Sequence, residues 1–221
     1  MNESPVQVLE EKIVAHCSPV LAGMKPSNMF SLQFKCQRCY ATRGCSRMGA
    51  LDFAAAFESC KSRLAACGLE LVVLAQRERS MLLFLYRPVL LERCLGDGRV
   101  AAYLESCGYP VGAGAAACIA ALCARIARSD QLARMRRVCT FPHEVGLFLG
   151  YPFDDVMGFI AHAGAGYVAS GCWKVYARER DALDAFCRFD ACKEEFAGRF
   201  ARGERLEQLA MRGTESLECA A

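Results

Sequence analysis

Apolar and polar residues alternate over 28–34 (NMFSLQF), which is the period of a half-buried strand, and a short helical pattern over 6–14 precedes it. Over 51–66 the apolar positions change to helical spacing, and Gly68 stands where a glycine releases a helix end. Two apolar runs, 69–75 (LELVVLA) and 81–86 (MLLFLY), flank the polar residues 76–80 and predict a β-hairpin. From 88 to 137 the pattern is helical and predicts two or three helices, one over 100–107 and one in the Ala-rich 113–127. Two further helices are expected over 142–149 and 153–162, each with a proline near its start and a glycine past its end. A last strand over 172–177 (CWKVYA) and a closing amphipathic helix over 181–201 complete the chain.

The order β, α, β, β, several α, β, α predicts an α+β fold. The expected form is a ferredoxin-like split βαββαβ sheet with a helical insertion before the last strand and a C-terminal helix. With 221 residues, 54% of them hydrophobic, one core suffices, and residues 1–221 are read as a single domain.

Charge narrows the functions little. The 27 basic and 24 acidic side chains leave a net charge of +3, too small by itself to imply a polyanionic partner. Residues 140–160 partly mimic a DNA-binding helix-turn-helix, but no Lys or Arg occurs between Arg137 and Lys174, and Glu144, Asp154 and Asp155 would face phosphates; no DNA partner is expected. The stretch 106–124 is uncharged but Ala-rich and broken by Pro110, so no membrane segment is expected. Fifteen cysteines, an odd number in a chain of this size without a secretory pattern at residues 1–17, are read as reduced thiols of a cytoplasmic protein.

Three groups of residues carry candidate chemistry. Cys36, Cys39 and Cys45 lie in a basic loop over 36–47, and the C-x₂-C pair is spaced for one tetrahedral metal, although a fourth ligand is lacking at knuckle spacing. Cys17, adjacent to His16 in HCSPVLAG, is a candidate nucleophile, with His143 as its base because neighbouring side chains on a helix diverge. His143 and Glu144 open an aromatic-rich stretch with Phe141, Phe148, Tyr151, Phe153, Phe159, Tyr167 and Trp173, a composition that suits a core or a pocket. His143-Glu144 is not a zincin motif, because Leu147 stands where the second histidine belongs.

At HCSPVLAGMKPSNMFS, FPHEVGLFLGYPFDDVMGFI and GCWKVY the chain resembles a bacterial family of domains of unknown function, number 3793, over roughly residues 11–200. The family pattern falls on His16, Cys17, Pro19, Gly23 and Lys25, on Phe141, Pro142, His143, Glu144 and Gly146, and on Gly150, Tyr151, Pro152, Gly171, Trp173, Lys174 and Tyr176. Cys172 stands where the family usually has an aromatic residue, and the Cys36, Cys39, Cys45 loop lies outside the pattern. The resemblance implies relatives in anaerobic bacteria, with genes near those for flavodoxin or ferrous-iron transport, and no assigned reaction or cofactor.

Three functions follow. The first is a ligand-binding or accessory protein of iron or redox metabolism, taking a small-molecule or metal ligand at His16, Lys25, His143, Glu144, Tyr151, Trp173 and Lys174. The second is a small enzyme with Cys17 as nucleophile and His143 as base. The third is a protein-interaction module, with which a homo-oligomer is compatible. The split-sheet topology further expects His16, Cys17, His143, Glu144, Trp173 and Lys174 to converge, with the helix at Pro142 turning its N–H groups to an anionic or metal-bound group.

Overall fold

The computed structural model describes residues 4–33, 50–78, 80–135 and 141–210. Its helices and strands follow in the order α1 (Pro5–Leu21), β1 (Ser27–Gln33), α2 (Ala50–Ala65), β2 (Glu70–Gln76), β3 (Ser80–Tyr86), α3 (Pro88–Leu95) and α4 (Gly98–Ser106). A single 3₁₀ turn (Val111–Ala113) leads into α5 (Ala115–Arg134), α6 (Val145–Phe148), α7 (Phe153–Ala161), β4 (Ala169–Ser170), β5 (Lys174–Val175), α8 (Glu179–Ala201) and α9 (Leu206–Leu209). The fold is α+β. Among the described residues no helix is long and apolar enough to cross a membrane.

The chain groups into two compact units. Of the described residues, the first takes 4–24, 28–33, 50–78, 80–87 and 192–210, the second 25–27, 88–135 and 141–191.

In the first unit the strands form one sheet in the order β1-β3-β2. The β2–β3 hairpin is antiparallel, with Leu71 opposite Leu85 and a register shift between Val73 and Ala75. Every residue of the central strand β3 is buried, which is why its sequence reads as a continuous apolar run. Met81, Leu83 and Leu85 join Leu9, Ile13 and Cys17 of α1 and Phe53, Phe57 and Leu64 of α2 in one core.

Helix α1 runs past the end expected near residue 14 and carries Pro19 in its last turn. A proline there removes the N–H that would bond the carbonyl four residues back and crowds that carbonyl with its ring; the helix ends two residues later, and its terminal carbonyls find other donors. Arg87 Nε donates to the Val20 carbonyl at 2.7 Å and Nη2 to that of Leu21 at 2.6 Å. Gly23, at φ 75°, then turns the chain out of the helix.

The order β1-β3-β2 is that of the first three strands of a split βαββαβ sheet. The expected fourth strand departs from it: only Lys174–Val175 is extended, and it pairs with Ala169–Ser170 in a separate two-stranded sheet. The complete ferredoxin-like sheet is therefore not formed among the described residues. The reason is visible locally, because 171–173 form the turn of a tight hairpin and leave too few residues for a long strand.

The second unit packs α3 against α4, α5 and α6, α6 against α7, and α7 against β5. The helix expected over 142–149 is reduced to the four residues of α6, too short to present an anion-binding N-terminus.

Candidate functional site

The second unit holds a cavity of about 360 Å³ lined by His143, Val145, Gly146, Leu149, Tyr151, Asp155, Val156, Phe159, Ser170, Gly171, Trp173 and Lys174. Its residues come from two stretches of sequence, the α6–α7 region and the β4–β5 hairpin, and one carboxylate ties them together. Asp155, in the first turn of α7, is 2% exposed. Its Oδ2 accepts from the Trp173 indole N–H at 2.7 Å, and its Oδ1 accepts from the backbone N–H groups of Tyr176 and Ala177 at 2.7 and 2.9 Å. A buried carboxylate is tolerated because three donors replace its water.

Close backbone approaches complete the frame. A side-chain carbon at Gly171 would lie 2.4 Å from the Phe186 ring, and one at Gly158 would lie 2.4 Å from Tyr176. At Gly150, where φ is 71°, it would meet Pro26 at 2.6 Å. These glycines let the hairpin and the α6–α7 corner pack tightly. Trp173 stands edge-on to Phe186, ring centroids 4.5 Å apart, and tilted against Tyr151 at 5.2 Å. Burial pushes the Tyr151 phenol up to about 12, with Cys172 adding to the shift.

Two basic side chains reach the cavity wall. Lys174 Nζ donates to the Gly164 carbonyl at 2.5 Å and lies 4.6 Å from the Tyr167 ring centre and 5.8 Å from that of Phe159. None of these partners is anionic. His143 is exposed and meets Phe159 edge-on at 5.0 Å. Glu144, its neighbour, does not line the cavity. It accepts from the Tyr109 hydroxyl at 3.0 Å and pairs with Arg125 at 3.4 Å. The Tyr109 phenol is held above its usual range by burial and by Glu144.

Of the expected site residues, His143, Tyr151, Trp173 and Lys174 thus meet in one cavity, while Glu144 is bound to Tyr109 and Arg125 instead. Lys25 belongs to the second unit, where its ammonium lies 5.0 Å from the Tyr151 ring centre and 5.8 Å from that of Phe189. His16 and Cys17 belong to the first unit. His16 stacks on Phe30 at 5.5 Å, its carbonyl accepts from the Asn28 side chain, and burial together with Lys12 and Lys193 lowers its pKa. Cys17 is fully buried in the core of that unit. Cys36, Cys39 and Cys45 lie outside the described residues. Among the described residues no group of three or more His, Cys, Asp or Glu side chains is placed to hold a metal ion.

Asp155 escapes the reading of the sequence, which takes it only as negative charge. A signal was present: Asp155 and Phe159 are four apart and so share one helix face, and an aspartate on an apolar face needs buried donors.

Comparison with curated proteins and with solved structures finds no match. A family model, described as "Protein of unknown function (DUF3793)", matches residues 13–210. The residues that shape the cavity and its frame all fall within that span, and the chain belongs to the DUF3793 family.

Proposed function

We propose that this chain is a bacterial cytoplasmic ligand-binding or accessory protein, linked to iron or redox metabolism, whose ligand seats in the cavity of the second unit. One observation carries the reading. An apolar, aromatic-lined space large enough for a small molecule has a lysine and a histidine in its wall, and its shape is held by a buried carboxylate and by glycines that admit no side chain. A site that merely filled the core would gain from being closed by larger side chains. The link to iron or redox metabolism comes from the family resemblance, and the cytoplasmic setting from the many cysteines.

The reading favours binding over thiol catalysis. A nucleophile must meet its substrate, and Cys17 has no exposed surface.

Trp173 is the only tryptophan of the chain, so its emission reports on the cavity without labelling. Protein purified without oxygen would be titrated with flavin mononucleotide, haem and ferrous iron while Trp173 emission and melting temperature are followed. The expected result is a saturable change in both with one of the three. An unchanged emission and melting temperature with all three would overturn the link to iron and redox metabolism.

A further inference from the structure

We infer that the cavity of the second unit takes a small carboxylate with a flat apolar body, its charge held by Lys174. The inference rests on the reading that this cavity binds a ligand and goes on to name the ligand's class. Lys174 carries three donor protons, and its described partners are one carbonyl and two rings. These neutral partners leave the partly exposed ammonium with donor protons to spare, and an anion would take them in charge-assisted hydrogen bonds. Asp155 lines the same cavity but forms no ion pair with Lys174 among the described residues; its two oxygens accept from Trp173, Tyr176 and Ala177.

The rest of the wall sets the body of the ligand. The side chains of Val145, Leu149, Val156 and Phe159 offer no hydrogen bonds and Trp173 has committed its one donor to Asp155, so the apolar part of the wall offers ring and methyl contact, with His143, Tyr151 and Ser170 as its remaining polar side chains. Such a surface favours a planar hydrocarbon over a sugar or an inorganic ion. A cationic ligand would meet Lys174, and of the His, Cys, Asp and Glu side chains a metal ion would find only His143 and the hydrogen-bonded Asp155 in the wall.

Four probes separate the parts of the inference: benzoate, benzamide, benzylamine and inorganic phosphate, each titrated by calorimetry and by Trp173 emission. Benzoate is expected to bind about ten-fold or more tightly than benzamide, the range of a charge-assisted hydrogen bond, and more tightly than phosphate. K174M should bring benzoate down to the level of benzamide, and K174R should keep the preference, with circular dichroism and melting checked for both variants. Equal binding of benzoate and benzamide, or tighter binding of benzylamine, would overturn the carboxylate while leaving the cavity as a ligand site. Phosphate binding as tightly as benzoate would overturn the apolar body. Silence from all four probes would overturn the class of ligand and leave the cavity itself to the titrations with flavin mononucleotide, haem and ferrous iron.

Discussion

At the scale of single residues, Asp155 does more than any other side chain to build the candidate site. It joins the start of α7 to the β4–β5 hairpin through one indole and two backbone donors, so removing it orphans three polar hydrogens at once. Asp155→Ala is expected to lower the unfolding free energy by about 3 kcal/mol, the cost of leaving buried donors unpaired. Asp155→Asn keeps one acceptor oxygen and should lose about half as much. Urea unfolding followed by Trp173 emission measures both, and a loss below about 1 kcal/mol for the alanine variant would remove Asp155 from this role. Glu144 shows the opposite relation between prominence and place. It is conspicuous in the FPHE motif, yet its carboxylate is occupied by Tyr109 and Arg125.

At the scale of elements, a guanidinium joins three helices of the first unit. Arg63 of α2 pairs with Glu10 of α1 and, through two nitrogens, with Glu207 of α9. Hydrogen bonding to Arg63 holds the Glu207 carboxyl at about 2, below its ordinary 4.5. A carboxyl depressed in the folded state contributes stability that is fully present above the unfolded value and is lost as pH falls through the folded one. The contribution of Glu207 is therefore expected at neutral pH and lost between pH 4.5 and about 2. Because the groups are partly exposed, it should amount to about 1 kcal/mol. Melting curves of the wild type and Glu207→Gln across this range check it: the difference should be largest at neutral pH and close at the acid end. A constant difference would mean that the contact acts through packing and not through charge.

At the scale of the whole molecule, the cysteines are distributed by burial. Cys17, Cys60, Cys118 and Cys192 are buried, whereas Cys187 is exposed. Burial raises the Cys60 thiol to about 12 and the Cys94 and Cys192 thiols to about 11, so little thiolate is present near neutral pH. Brief alkylation of the native protein with iodoacetamide, mapped by peptide mass spectrometry, should label Cys187 and spare the four buried residues until denaturant is added. Rapid labelling of Cys17 in the native protein would show that the α1 core opens and would bring its thiol back as a candidate nucleophile.

Local rules were enough for much of this molecule. The alternation over 28–34, the release at Gly68 and the two apolar runs around 76–80 appear in the structure as β1, the end of α2 and the β2–β3 hairpin, each within a residue or two. These features depend on neighbours along the chain, and their physics is contained in a short window. The apolar residues of 172–177 illustrate where such a window fails. Their pattern fits a strand of a large sheet, but Gly171 packing on Phe186 and the Asp155 hydrogen bonds hold them in a short hairpin of their own. The same limit governs the site. Aromatic residues, His143 and Lys174 were visible as candidates from sequence alone, because their types suit a pocket. Which of them share a cavity depended on Asp155 partners 18 to 22 residues distant, and the withdrawal of Glu144 on Tyr109 and Arg125, 35 and 19 residues distant. Composition determined the chemistry available to this protein; the long-range packing of charged groups against buried donors decided where that chemistry is exposed.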